Sequence, residues 1–181
     1  MKTLVIGSGA MAPSLALCLT LAGHHTILVA RRSEALTQAE SAVDIAYREL
    51  EEAGLLPAMS PGWRDRLAFS TDLAGAAAGI DFAFEAIAED ADIKQPIFAA
   101  IEQAAPPQAI LTSTTSGMAV DIIAEKCTDK GRVAVAHFAN PPHLMPAVEI
   151  VPGTDTDEAV MDRLCDFIRG LGKEPIRLKR D

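Results

Sequence analysis

The N-terminal residues constrain the fold more than any other part of this chain. Lys2–Ile6 are mostly apolar and predict a buried strand, and the residues that follow form a glycine turn that leads into a helix, Gly7-Ser8-Gly9-Ala10-Met11-Ala12. In this order, a Gly-x-Gly-x-x-Gly/Ala turn lets backbone amides approach a pyrophosphate, and the helix directs its unpaired N–H groups at the same anion. The pattern therefore predicts a dinucleotide-binding unit that holds a nicotinamide or flavin cofactor, with an ordinary βα turn as the alternative.

Helices and strands are predicted to alternate along the rest of the chain. After the first helix, which ends near Gly23, the apolar runs predict strands over 26–30, 67–70, 81–86, 109–113, 132–138, 147–151 and 174–178. Amphipathic patterns predict helices over 33–53, 92–104, 118–127 and 155–171. Alternating units with nearly continuous apolar strands indicate an α/β fold, namely a Rossmann-type doubly wound, mostly parallel sheet with helices on both faces.

Length and composition exclude several classes of protein. The 181 residues suffice for one domain with a real core, so we expect a single dinucleotide-binding domain over residues 1–181. A net charge of −9 disfavours nucleic acid and anionic lipid as partners, and no apolar run reaches the roughly 18 residues that a membrane span needs. The start shows no leader pattern, which favours a cytoplasmic location. Cys18, Cys127 and Cys165 are widely spaced in apolar patterns, so we expect buried free thiols and no metal site.

The end of the second strand carries the residues that distinguish NAD from NADP. A carboxylate at this position would bind both ribose hydroxyls of NAD, but the chain has Ala30 there, followed by Arg31 and Arg32. Two guanidinium groups are suited to pairing with a 2′-phosphate, so the residues favour NADP. The alternative is that both arginines are solvated and that NAD is also accepted.

Four segments of the chain, in the same order, resemble the 3-hydroxyacyl-CoA dehydrogenase family. They are Gly7–Met11, Glu85–Glu89, Ser113–Ser116 and the run His137–Ile150, which reads HFANPPHLMPAVEI. The resemblance covers the N-terminal NAD-binding domain of the family and implies hydride transfer between 3-hydroxy and 3-keto acyl groups in fatty acid metabolism. The helical C-terminal domain of the family has no counterpart in this chain, so the resemblance implies a homodimer only together with that domain.

The resemblance also assigns roles to individual residues. The catalytic histidine corresponds to His137 and its carboxylate partner to Glu149, while Ser116 and Asn140 correspond to the residues that position the substrate oxygen and the nicotinamide. The residues that the resemblance and the N-terminal pattern together place at the cofactor are Gly7, Ser8, Gly9, Ala10, Met11, Ala30, Arg31, Arg32, Glu89 and Lys94.

Elementary chemistry supports the two central assignments. Removal of hydride from a secondary alcohol requires that the hydroxyl proton leave as well, and histidine has a pKa suited to accepting it. A carboxylate bound to the far ring nitrogen fixes the tautomer and stabilises the imidazolium, which is the role expected of Glu149. Alternatives remain for three residues: His137 as an ordinary core histidine, Ser116 as a helix cap before Met118, and Lys94 as a solvated helix charge.

The substrate is the least constrained part of the interpretation. An acyl-CoA carries several phosphates, yet the predicted helix over 33–53 has an acidic face that would repel them unless Arg64 and Arg66, or the C-terminal domain of the family, compensate for it. A small 3-hydroxy acid without CoA is therefore an alternative substrate. A second alternative is a dinucleotide-binding module without turnover. His143, in the proline-bounded loop after Asn140, is expected to have a structural position or to lie at the edge of the substrate site.

Overall fold

A single sheet of eight strands organises the part of the chain that the computed structural model describes, which is residues 1–58 and 61–179. Its strands are β1 (Lys2–Ile6), β2 (His25–Val29), β3 (Leu67–Ser70), β4 (Phe82–Glu85), β5 (Ile110–Ser113), β6 (Val133–Phe138), β7 (Ala147–Pro152) and β8 (Glu174–Arg177). The strand order is β3-β2-β1-β4-β5-β6-β7-β8. Neighbours from β3 through to β6 are parallel, β7 runs antiparallel to β6, and β8 is parallel to β7.

Helices cover both faces of this sheet. They are α1 (Met11–Leu21), α2 (Ser33–Glu52), α3 (Leu73–Ala77), α4 (Ala91–Ala104), α5 (Val120–Ile123) and α6 (Glu158–Gly170). Side chains of α1 and α6 pack with one face of the sheet, and α2 packs on α1 around Trp63. The side chains of α3, α4 and α5 form the core of the opposite face. The doubly wound, mostly parallel Rossmann-type sheet predicted from the sequence is confirmed.

The topology creates a crevice at one edge of the sheet. β1 pairs with β2 on one side and with β4 on the other, and the connections that follow β1 and β4 lead to helices on opposite faces. The loops that follow the carboxyl ends of these two strands therefore diverge. Open α/β sheets bind ligands in the crevice between such loops. This position brings the N-terminal glycine turn opposite the residues that follow β4, β5 and β6.

One predicted helix is wrong. The pattern over 118–127 predicts a full helix, but only the four residues of α5 are α-helical. Before α5, the hydroxyl of Thr115 accepts hydrogen bonds from the N–H groups of Gly117 and Met118, so these residues form a turn instead of the first helical turn. After it, Cys127 N–H donates to Ala124 O, an i to i+3 bond that tightens the chain and ends the α-helical pattern.

The last helix begins later than predicted because a threonine organises the preceding turn. Gly153 N–H donates to Thr156 Oγ1, and the same hydroxyl donates to the carbonyl oxygen of Val133 at the start of β6. Residues 153–157 are thereby fixed against the sheet, and α6 begins at Glu158 instead of at 155. The other predicted elements agree with the structure to within one or two residues, which is the usual uncertainty of helix and strand ends.

The three cysteines are free and buried, as predicted. Burial raises the pKa of Cys18 and of Cys127 to about 11, because the thiolate would lose its hydration. Neither thiol is therefore a nucleophile at neutral pH. Among the described helices, none is both long enough and apolar enough to cross a membrane.

Candidate active site

The glycine turn after β1 is shaped by two contacts of Gly7. Its N–H donates to the carbonyl oxygen of Val29 at 2.9 Å, and its φ angle of 127° lies in a region that residues with a side chain rarely adopt. A Cβ atom at Gly7 would lie 2.9 Å from the carbonyl carbon of Ala86 and closer still to the oxygen. A Cβ atom at Gly9 would meet nothing within 4 Å. The turn thus packs tightly on Ala86, the residue directly after β4, and leaves open space beside Gly9, as a bound pyrophosphate requires.

A cleft of about 950 Å³ runs along the carboxyl edge of the sheet from this turn. That volume lies at the upper end of the range for small-molecule sites, so the cleft has room for a dinucleotide. The structure brings most of the residues that the sequence analysis selected to its wall: Gly7, Ser8, Gly9, Ala10, Met11, Ala30, Arg31, Arg32, Glu89, Ser116, His137 and Asn140. Two selected residues, Lys94 and Glu149, do not line it.

One end of the cleft is formed by the residues after β2. Ala30 is buried, and its N–H donates to the carbonyl oxygen of Ser70 at 3.2 Å. Arg31 and Arg32 are exposed where α2 begins, and both line the cleft. Two arginines therefore lie at the position where a Rossmann fold meets the adenosine ribose, and none of the described residues that line this end of the cleft is a carboxylate.

His137 and Glu149 face each other at the other end of the cleft. They are cross-strand partners in β6 and β7, and because these strands are antiparallel, the end of β6 lies beside the start of β7. His137 Nδ1 and Glu149 Oε2 are 2.9 Å apart. The imidazole is 32% exposed and lines the cleft, whereas Glu149 lines a smaller neighbouring cavity behind it. The alternative of His137 as an ordinary core histidine does not describe this position.

Ser116 lies in the turn between β5 and α5. Its N–H donates to Glu89 Oε1 at 3.2 Å, and its side chain lines both the cleft and the smaller cavity. The alternative of a helix cap before Met118 is wrong for Ser116, because Thr115 Oγ1 accepts the N–H groups that a cap would accept.

Lys94 lies beneath the cleft, in a buried ion pair. Its Nζ atom donates to Glu85 Oε1 at 2.8 Å and to Oε2 at 2.9 Å, and both side chains are almost completely buried. The Nζ atom also lies 3.4 Å from Glu89 Oε2, which connects the pair to the cleft wall. The alternative of a solvated helix charge is wrong for Lys94, because α4 turns this residue towards the sheet.

Glu89 couples this buried pair to the loop that carries Ser116. Partial burial alone would raise its pKa, but the hydrogen bond from Thr115 Oγ1 at 2.8 Å, the charge of Lys94 and the Ser116 N–H outweigh burial and lower it. Glu89 is consequently ionised at neutral pH. Its carboxylate holds the turn after β5 against the N-terminal end of α4.

The loop between β6 and β7 carries Asn140 and His143. Asn140 lines the cleft. The His143 ring is buried between α1 and α2, with Nδ1 in hydrogen-bond contact with Ser14 Oγ on α1 and Nε2 2.7 Å from Glu49 Oε2 on α2. Lys173 Nζ donates to the carbonyl oxygens of Pro142 and Met145 from the other side. His143 therefore has a structural position that anchors the loop.

Sequence reasoning assigned no role to three residues that support the site. Glu85 and Ser113 bind each other through Glu85 Oε2 and Ser113 Oγ at 2.6 Å, and Thr115 organises the turn described above. A signal for Glu85 was present, because it is a carboxylate at the end of the apolar strand Phe82–Glu85, nine residues before a lysine. Ser113 and Thr115 gave no such signal, since hydroxyl residues are common at strand ends and turns.

The fold and the crevice define the class of this protein: it has the Rossmann-type fold of dinucleotide-binding domains. The sequence matches the profile of the family described as 3-hydroxyacyl-CoA dehydrogenase, NAD binding domain, over residues 2–181. The chain belongs to this family, and the resemblance inferred from its motifs is confirmed.

Individual relatives agree with this assignment. The chain is 34% identical over 174 residues to 3-hydroxyadipyl-CoA dehydrogenase of Escherichia coli, and the match covers 96% of the chain but 36% of that relative. A crystal structure of 3-hydroxybutyryl-CoA dehydrogenase from E. coli superimposes with a TM-score of 0.91 at 34% identity, covering 98% of this chain and 38% of that one. The chain thus spans little more than a third of the length of these relatives.

A third similar protein acts on a compound whose name contains no CoA. The structure of 5-formyl-3-hydroxy-2-methylpyridine 4-carboxylic acid 5-dehydrogenase, an NAD⁺ dependent dismutase, superimposes with a TM-score of 0.91 at 27% identity. The match covers 99% of this chain and 58% of that one. The same N-terminal fold therefore occurs in proteins with different substrates.

Proposed function

We propose that this chain is the cofactor-binding and proton-transferring part of an NAD(P)-dependent oxidoreductase that interconverts a 3-hydroxyacyl-CoA and its 3-keto form. One observation carries the proposal: the imidazole of His137, held by Glu149, lines the same cleft as the glycine turn. The bound nicotinamide supplies the chemistry of accepting or donating a hydride. The residues of the chain supply the proton transfer and the orientation of the substrate.

His137 acts as the base in the oxidation direction. Its Nδ1 atom is engaged by Glu149, so Nε2 takes the proton of the substrate hydroxyl. The hydride leaves the carbon that bears this hydroxyl. The carboxylate of Glu149 stabilises the resulting imidazolium. In the reduction direction the imidazolium returns the proton to the oxygen of the keto group.

Ser116 and Asn140 orient the reacting group. Both side chains line the cleft near His137, and the Ser116 hydroxyl is a donor suited to the oxygen that becomes a carbonyl. The lowered pKa of Glu89 keeps that residue an acceptor at the nicotinamide end. Lys94 contributes from beneath, by holding Glu85 and Glu89 in place.

Arg31 and Arg32 make NADP the preferred cofactor in this proposal. Loss of a hydrogen bond to a charged group costs about 1.5–3 kcal/mol, which is roughly a tenfold loss of affinity or more. We therefore expect Arg31→Ala and Arg32→Ala each to weaken NADPH binding at least about tenfold and to leave NADH binding nearly unchanged. Titration of the chain with NADPH and NADH side by side measures this. Tighter binding of NADH by the unsubstituted chain would overturn the preference for NADP.

Substitution of His137 tests the reaction. We expect His137→Gln to lower kcat/KM for acetoacetyl-CoA reduction by about 10²- to 10⁴-fold, the usual effect of removing a general acid or base, with cofactor affinity unchanged. The matched control is His25→Gln. His25 is an exposed histidine at the start of β2, at the amino-terminal ends of the strands and away from the cleft. Because the chain spans 36% of its E. coli relative, turnover is assayed in the chain alone and with the remainder of that relative supplied in trans.

A small 3-hydroxy acid without CoA is the second candidate substrate. Arg64, a candidate for binding CoA phosphates, is already bound to Glu40 and Asp44 of α2 at 2.7 Å each. The acidic face of α2 therefore has no compensation from this residue. Turnover of a free 3-hydroxy acid without turnover of the CoA thioester would establish this candidate. Cofactor binding without turnover of either substrate would instead indicate a non-catalytic module.

A further inference from the structure

The loop between β6 and β7 holds Asn140 at the wall of the cleft, although Asn140 itself is exposed. Packing of its own side chain therefore does not fix Asn140, and its position depends on the main chain of the loop. Part of that main chain is a compact turn, in which the N–H groups of Leu144 and Met145 both donate to the carbonyl oxygen of Pro141. The attachment of this turn to the rest of the protein thus decides where Asn140 lies.

His143 attaches the turn to α1 and α2. Its side chain is only 5% exposed, and both ring nitrogens have partners. Nε2 lies 2.7 Å from Glu49 Oε2, and because an ionised carboxylate only accepts, Nε2 carries the proton of this hydrogen bond. Nδ1 is in contact with the hydroxyl of Ser14, which also accepts the main-chain N–H of His143 at 3.2 Å. A buried ring with both nitrogens engaged is restricted to one orientation.

Ser14 is a polar residue that α1 does not need for its own structure. It is 4% exposed, in a helix whose other buried residues are apolar apart from Thr20. The Thr20 hydroxyl donates to carbonyl oxygens of its own helix, whereas in the part of the chain that the structure describes the hydrogen bonds of Ser14 Oγ both go to His143. Ser14 lies three residues after Met11, which lines the cleft. The loop is thereby attached to the first turn of the helix that follows the glycine turn.

From these contacts we infer that His143 is a positioning residue for the proposed reaction: its bonds to α1 and α2 hold the loop where Asn140 meets the substrate and the nicotinamide. The inference rests on the proposed function, which gives Asn140 that task. His143 is not among the described residues that line the cleft, so it acts through the loop and not on the substrate. Displacement of an orienting group by about 1 Å can lower a rate about 100-fold, so a loosened loop has a large effect on turnover.

Asn140 is the only asparagine in the sequence, which provides a direct probe of its position. The chain is labelled with ¹⁵N at the asparagine side-chain amide and saturated with the oxidised form of the cofactor that binds more tightly, so one pair of amide proton signals is observed. We expect His143→Phe, which keeps a ring but removes both ring nitrogens, to shift or broaden this pair. His24→Phe is the matched control and should leave the pair unchanged, because the half-buried His24 ring stacks on Phe167 at 4.9 Å, away from the loop.

Turnover shows whether this position matters for the reaction. We expect His143→Phe to lower kcat for acetoacetyl-CoA reduction about 10- to 100-fold and to change the cofactor affinity less than about twofold. In the Asn140→Ala background, the same substitution should lower kcat less than about threefold further, because the effects of residues that act as one unit are not additive. A purely structural role of His143 would lower kcat by the same factor in both backgrounds. Ser14→Ala, which suits a helix, removes the partner of the loop and provides both tests if His143→Phe does not fold.

The two measurements separate the possible outcomes. If His143→Phe leaves the Asn140 amide signals unchanged, or lowers kcat by the same factor with and without Asn140, the inference is overturned and the proposed function stands. If the unsubstituted chain binds the cofactor but shows no turnover, either alone or with the remainder of its E. coli relative supplied in trans, the proposed function fails and the inference fails with it.

Discussion

Gly7 and Gly9 are two residues apart in the same turn but meet different surroundings. Gly7 combines a positive φ angle with close contact to the carbonyl group of Ala86, whereas the space beside Gly9 is open. A glycine can thus be required by the protein itself or by what the protein binds. The sequence motif contains both residues and does not distinguish these two causes.

The two glycines predict opposite effects of the same substitution. Gly7→Ala should lower the free energy of unfolding by about 2 kcal/mol or more, because the backbone conformation and the overlap with Ala86 both become unfavourable. Gly9→Ala should change it by less than about 0.5 kcal/mol but weaken dinucleotide binding, since the added methyl group occupies the space beside the turn. Urea unfolding followed by the fluorescence of the single tryptophan, Trp63, and a cofactor titration measure the two effects. Equal loss of stability in both variants would contradict this division.

Single residues also show where sequence reasoning reaches its limit. His137 follows four apolar strand residues, so its own neighbours indicate a core position, and only the longer motif marked it for chemistry. Lys94 was recognised as part of the site, but its burial against Glu85 depends on how α4 packs on the sheet. That orientation is a property of tertiary contacts and is not contained in the local pattern.

At the scale of elements, a buried polar network joins β4, β5 and α4. Glu85 ends β4 and accepts hydrogen bonds from Lys94 of α4, from Ser113 of β5 and from Ile87 N–H at 2.6 Å. Breaking a buried ion pair leaves an uncompensated charge and commonly costs 3–5 kcal/mol, whereas replacing both partners by uncharged groups costs far less. The network therefore fixes how α4 sits beneath the cleft.

Lys94→Met tests this network. We expect it to lower the free energy of unfolding by about 3–5 kcal/mol, because the Glu85 carboxylate stays buried without its cation. The double variant with Glu85→Gln should recover much of the loss. Arg169→Met, which removes an exposed ion pair with Asp166, is the control and should cost less than about 1 kcal/mol. A double variant no more stable than Lys94→Met would show that the charge is not the cause.

Elements differ in how well the sequence predicted them. The strands and long helices were located correctly, because an apolar run or an amphipathic period reports burial directly. The helix over 118–127 was not, since the hydroxyl of Thr115 competes for backbone groups at its start. Periodicity alone does not reveal a side chain that binds the main chain.

For the whole molecule, the sequence was sufficient for the architecture and for most of the crevice wall. Parallel βα units fold by a small set of rules, so the N-terminal turn, the strand ends and the crevice follow from their order. The sequence did not indicate that the end of the sheet reverses direction, with β7 antiparallel to β6. That reversal depends on the loop between the two strands and on packing against β8.

The hairpin made by this reversal also affects how related chains can diversify. Its tip carries the exposed residues Leu144 and Met145, while the pairing of β6 with β7 fixes His137 opposite Glu149. Lengthening a hairpin tip adds little entropic cost and does not shift the register of its strands. Contacts at the tip can therefore change while His137 and Glu149 stay opposite each other.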